Sequence, residues 1–189
     1  MTYRNFVIFL ALTFWAAACS SPQTAEQPAA SSGEQGEPAP SSNRGTVEIA
    51  LGETQVSLNY GRPVLQGRDM LSQLKDGQIW RLGMNDATTI ETNTDLIFGD
   101  TVIQAGRYSI WAKKVGSEDW HLIFNSEPDV GGLDRNPASD FAETPLEHSV
   151  LAESVEQFTI ELNPVDDESA EVLMKWATLQ LRATFNVSE

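Results

Sequence analysis

Apolar and polar residues alternate with a period of two through most of the chain beyond residue 44, the pattern of strands with one face buried and the other exposed. Thr54 to Tyr60 sets Val56, Leu58 and Tyr60 on one face against Gln55, Ser57 and Asn59 on the other. Asp119 to Asn125 groups Trp120, Leu122 and Phe124, and Glu156 to Leu162 groups Phe158, Ile160 and Leu162. Near the C-terminus, the runs Ser169 to Trp176 and Thr178 to Phe185 turn Val172, Met174 and Trp176, then Leu179, Leu181 and Phe185, inward. Only Ala177 stands between these two runs, which predicts either one bent strand or a bulged pair.

Turn-forming residues punctuate the runs at Gly61-Arg-Pro63, Gly99-Asp100, Ala105-Gly106, Val115-Gly-Ser117 and Asn163-Pro164. Only Asp69 to Leu74 reads as a short helix. Roughly eight or more short strands joined by strand-to-strand turns predict an all-β fold, an antiparallel β-sandwich or a jelly-roll-like barrel with at most one or two short helices. Between Ser126 and Pro145, Asp129, Gly131, Gly132, Asp134, Asn136, Pro137 and Asp140 crowd a stretch poor in apolar residues. It reads as a long irregular loop, either a flexible excursion or a functional element.

The first residues stand apart from this pattern. Met1 to Arg4 carry a positive amine and one arginine, and the apolar run Phe6 to Trp15 follows. These are the charged and apolar regions of a secretory leader, and the run is too short to cross a bilayer, which takes roughly 20 residues. Ala16-Ala17-Ala18 then precede Cys19, the one cysteine of the chain. The arrangement resembles the lipobox of bacterial lipoproteins, which implies cleavage before Cys19 and acylation of its thiol. Ordinary cleavage after Ala18 is the competing reading, and it would leave an exported protein with an unpaired cysteine. Under the lipobox reading, Ser20 after the cysteine implies an outer-membrane location facing the periplasm if the cell has two membranes. Ser20 to Asn43 has no aromatic residue and no Ile, Leu or Val to bury, so it reads as a disordered tether. The expected partition is a signal peptide at 1–18, a tether at 19–43 and one β domain at 44–189.

Charge narrows the partners. The formal net charge is −15, which repels phosphate backbones and argues against nucleic acid. Such acidity suits solubility beside an anionic membrane; a docking face for a basic partner is the alternative. With Cys19 assigned to lipid, the domain has no thiol for a disulfide and depends on burial and hydrogen bonding. There is no Gly-x-Ser-x-Gly, no phosphate-cradling glycine loop and no His-Glu-x-x-His. His121 and His148 are isolated in sequence, so no metal or other cofactor is implied.

The most unusual local chemistry lies in Tyr60 to Arg68 and Ile79 to Thr89, where Arg62, Arg68 and Arg81 occur in a strongly acidic chain. Arginine suits bidentate recognition of carboxylate or phosphate and stacking on an indole such as Trp80. The structural alternative is that these arginines pair with Asp86, Glu91 or backbone carbonyls and clamp loops to the sheet. The ordered blocks Tyr60-Gly-Arg-Pro63, Gly67-Arg68, Ile79-Trp-Arg81, Gly83 to Thr88, Ala105-Gly-Arg-Tyr108 and Trp120 to Asn125 resemble the DUF2911 family of bacterial secreted proteins. The resemblance runs from about Thr46 to Phe185 and departs from the family pattern at Met84-Asn85-Asp86. It implies one domain, carries no activity, and marks Arg62, Arg68, Trp80, Arg81 and Asn85, with Asp86 beside them, as binding candidates. Two functions remain open on this reading. One is a lipid-anchored, envelope-associated module for an anionic or carbohydrate ligand, and the other is a hydrolase or lyase on an envelope polymer with Asp86 and His121 as acid and base.

Overall fold

The computed structural model describes residues 43–188. The expected leader at 1–18 and all of the expected tether except Asn43, with Cys19 in it, lie outside the described residues. The fold is all-β: β1 (Arg44–Leu51), β2 (Thr54–Gly61), β3 (Ile79–Trp80), β4 (Thr88–Thr92), β5 (Leu96–Phe98), β6 (Thr101–Ile103), β7 (Gly106–Lys114), β8 (Trp120–Asn125), β9 (Asp140–Pro164) and β10 (Ser169–Val187). They form one antiparallel sheet in the order β1-β2-β4-β7-β8-β9-β10-β5-β6, with β3 on β7. The sheet folds over on itself like a sandwich and does not close into a barrel.

The fold-over depends on β9. Its first residues, Asp140 to Leu146, pair with β8, and from Glu147 onward it pairs with β10, so a single strand serves both layers. A second seam joins the layers beyond β2. The Leu65 amide donates to the Glu156 carbonyl at 2.9 Å and the Phe158 amide to the Pro63 carbonyl at 2.9 Å. The expected turn at Gly61-Arg-Pro63 is therefore a crossing segment, because its free backbone groups find partners on β9.

The inward faces anticipated for β2, β8 and β10 are buried, with Val56, Leu58, Tyr60, Trp120, Leu122, Phe124, Val172, Met174, Leu181 and Phe185 in one core. Two aromatic groups tie the layers together. Phe124 of β8 lies 5.2 Å from Phe98 of β5, and Trp80 of β3 stacks on Trp176 of β10 at 5.8 Å. β10 is one continuous strand with a bulge at Ala177, whose φ of 50° shifts the inward set from Trp176 to Leu179. The interruption in the apolar alternation is the mark of that bulge.

Two local expectations are corrected. Asp69 to Leu74 is not a helix: the Asp69 side chain accepts from the Ser72 amide at 3.1 Å and Leu74 bonds back to Leu71, but the turn does not propagate. One turn fixes too many dihedrals for the bonds it gains unless packing extends it. The irregular loop also ends earlier than Pro145, because a 3-10 turn at Pro137–Ser139 leads into β9 at Asp140.

Candidate functional site

Side chains of β1, β2, β4, β7 and β8 that point away from the core form an outer face, and the register sets them in rows. One row runs Thr46, Asn59, Thr89 and Ser109; the next runs Glu48, Ser57, Glu91 and Arg107. The segment 126–136 lies across part of this face as a strap. Val130 packs against a small apolar cluster of Ala87, Trp111 and Ile123. Backbone bonds stitch the strap to the loop before β4, from the Ala87 amide to Val130 at 3.0 Å and from the Gly132 amide to Asn85 at 2.7 Å. Beneath it, the buried Asn125 amide group donates to the Asn136 carbonyl and to Asp140, which also pairs with Arg135. The Ser109 hydroxyl donates to the Glu127 carbonyl at 2.8 Å. The strap satisfies its own polar backbone on the sheet it covers, as buried backbone must.

Between the strap and the uncovered part of the face lies a groove of about 270 Å³, walled by Arg44, Asn59, Asp86, Thr89, Arg107 and Asp129 among others. Arg44 is held in place by its Nε bond to the Asn59 side chain at 2.7 Å and by Nη2 bonds to the Asn59 and Ala87 carbonyls at 3.2 Å. Burial draws the Arg44 guanidinium below its ordinary pKa; Asp86 opposes that shift and nearby Arg107 adds to it. Arg107 is the more open of the two, with Nη1 2.6 Å from Asp129 and Nε 3.8 Å from Glu91. Its remaining donors are those a ligand carboxylate could take in the bidentate geometry that arginine favours.

Of the binding candidates named from the sequence, Asp86 alone lines this groove, joined by Asp129 and Gly131 of the irregular stretch. Trp80 is buried in the core, edge-on to Phe158 at 5.0 Å and stacked on Trp176. Arg68 is exposed and donates to the Leu65 and Val64 carbonyls at 3.1 and 2.9 Å, closing its own loop. The Arg62 stem lies against Gly45, with its buried Nε lacking a hydrogen-bond partner among the described residues. The Arg81 stem runs beneath Gly132, next to the Asn85 carbonyl, so the strap packs on both residues. Asn85 itself is exposed at φ 61°, in the left-handed region that asparagine tolerates. The two motif stretches do meet, through backbone: a Cβ on Gly61 would collide with Met84, and one on Gly83 with Gly61.

His121 and Asp86 do not converge. His121 sits on β8 with Nδ1 2.6 Å from Glu143 and Nε2 3.5 Å from Asp119, and β7 separates β8 from β4 and the Asp86 loop. Burial works to raise the Glu143 carboxyl pKa, but bonds from Lys113 and His121 outweigh it and hold that pKa low. Among the described residues, no group of three or more His, Cys, Asp or Glu could hold a metal ion. No helix among them is long and apolar enough to cross a membrane.

Arg44 and Arg107, the central cations of the groove, were absent from the sequence-based candidates. The available signal was the Gly106-Arg-Tyr108 block, but nothing local links Arg107 to residue 44 or residue 129.

Neither the curated proteins nor the solved structures yield a match to this chain. Residues 42–185 match the family described as a protein of unknown function, DUF2911. That span takes in the crossing at Gly61 and Gly83, the strap and the groove, and the chain therefore belongs to the DUF2911 family.

Proposed function

We propose that this protein is a lipid-anchored binding module of the cell envelope, tethered through Cys19, whose domain takes a small anionic or sugar-like ligand in the groove between the strap and the sheet. The observation that carries the reading is Arg44 and Arg107 on the walls of one concave groove in a chain of net charge −15. Asp86 and Asp129 offset these two guanidiniums, so the groove is locally balanced in charge and a carboxylate there meets less repulsion than the chain's net charge would impose. Asn59, Thr89 and Asp86 supply amide, hydroxyl and carboxylate groups for a polyhydroxylated body. The anchor reading rests on the leader and on Cys19 following three alanines.

The binding test is a titration of the full chain with glucuronate and, separately, with glucose, followed by NMR. Glucuronate should perturb Arg107 and Thr89 and glucose should not, and Arg107→Ala should remove the response. Perturbation scattered over the surface, or an unchanged response in the variant, overturns the groove. The anchor is tested by detergent phase partitioning: the Cys19→Ala form should move from the detergent phase to the aqueous phase.

A further inference from the structure

The groove has a neighbour. On the same outer face, one row further along the strands, a second hollow of about 260 Å³ is lined by Glu48, Gln55, Ser57, Glu91 and Asn93 with neighbouring core edges. Each hollow alone falls below the roughly 300 Å³ at which ligand pockets begin, whereas the pair together reaches it. Arg107, in the lining of the first, pairs with Asp129 and lies 3.8 Å from Glu91, in the lining of the second. Asn59 and Ser57, two residues apart on β2, carry the floor from one hollow to the next, a step of about 6.7 Å.

The chemistry changes along this path. The first hollow sets Arg44 and Arg107 against Asp86 and Asp129, whereas the second has no cation in its lining and offers carboxylate at Glu48 and Glu91, which flank Ser57 in one cross-strand row. The backbone of β2 and β4 is engaged in ladders on both sides here, whereas β1 pairs with β2 alone, so over β2 and β4 recognition falls to side chains. A peptide strand, which needs a free sheet edge, is not suited to such a face. Side-chain amides, hydroxyls and carboxylates are suited to a ligand rich in hydroxyl groups. A second carboxylate in the second hollow would meet two like charges with no cation in the lining to offset them, whereas hydroxyl or amine donors would bind them.

Building on the proposed binding role, we infer that the ligand is a mixed oligosaccharide, an acidic sugar followed by a neutral or amine-bearing one. The acid sits at Arg107 and the second sugar at Glu48 and Glu91. Titration calorimetry on the full chain with three probes tests this: glucuronate, a glucuronate–glucosamine disaccharide and a digalacturonate. The mixed disaccharide should bind at least tenfold more tightly than glucuronate, and the diacid no more tightly than glucuronate. Glu91→Gln should erase most of the tenfold gain. If glucuronate binds through Arg107 but the disaccharide gains nothing, or the diacid binds best, this inference fails and the binding role stands. If none of the three binds while the thermal transition is intact, both fail.

Discussion

At Trp80 an indole that could stack on a ligand instead packs against Trp176 and Phe158 in the core. Trp80→Ala should cost about 3–5 kcal/mol in denaturant unfolding, the range for removing a large buried aromatic side chain. The arginines flanking it behave as clamps in the structure, since Arg68 caps two carbonyls and the stems of Arg62 and Arg81 pack against glycines. Replacing Arg62, Arg68 or Arg81 with Ala should each lower stability by about 1 kcal/mol and leave glucuronate affinity unchanged. Arg107→Ala should show the reverse, and an affinity loss in the first three would move the site back to them. Gly61 belongs to the same crossing: a methyl group there meets the Met84 backbone, so Gly61→Ala should destabilise by roughly 1–3 kcal/mol through overpacking. Residue type was readable for all of these positions. Their roles were not, because arginine, tryptophan and glycine serve packing and recognition equally well, and only the neighbours decide between them.

Among the elements, β10 and the strap differ in how much of their form is written locally. The phase change from Met174 and Trp176 to Leu179 and Leu181 marks a bulge, and Ala177 occupies its left-handed position at φ 50°. Glycine has no Cβ penalty there, so Ala177→Gly should raise stability by up to about 1 kcal/mol in thermal unfolding, whereas Ala177→Val should lower it. The strap is legible only as an irregular stretch, because its partners lie in the loop before β4 and on β7 and β8. Hydrogen bonds from Ser139 and Asn136 hold the Glu127 carboxyl below its ordinary 4.5. A carboxylate whose pKa falls on folding stabilises the closed strap above the unfolded value, and that contribution is lost as pH drops through the folded value. Amide exchange at Ala138 and Ser139 should therefore accelerate relative to the core as pH falls from about 4.5, and Glu127→Gln should flatten that dependence. The turn at Asp69 to Leu74 shows the opposite failure: a helix-like composition without the packing to extend it.

For the molecule as a whole, the composition of Ser20 to Asn43 predicts that the domain does not depend on what precedes it. A chain beginning at residue 43 should unfold within about 0.5 kcal/mol of the full-length protein, and a larger loss would mean that the preceding residues pack on the domain. Period-two alternation and turn chemistry are properties of neighbouring residues, so the all-β class and the inward faces of β2, β8 and β10 were readable from the chain alone, as was the family from its ordered blocks. Whether the sheet would be a sandwich or a barrel was not, because that depends on β9 passing from β8 to β10 and on the seam between Pro63 and Phe158. The groove lay further out of reach. It joins residues 44, 86, 107 and 129 through strand register and through the strap's placement on the outer face. Register is a collective outcome of burying one continuous core, and no local segment of this chain carries it.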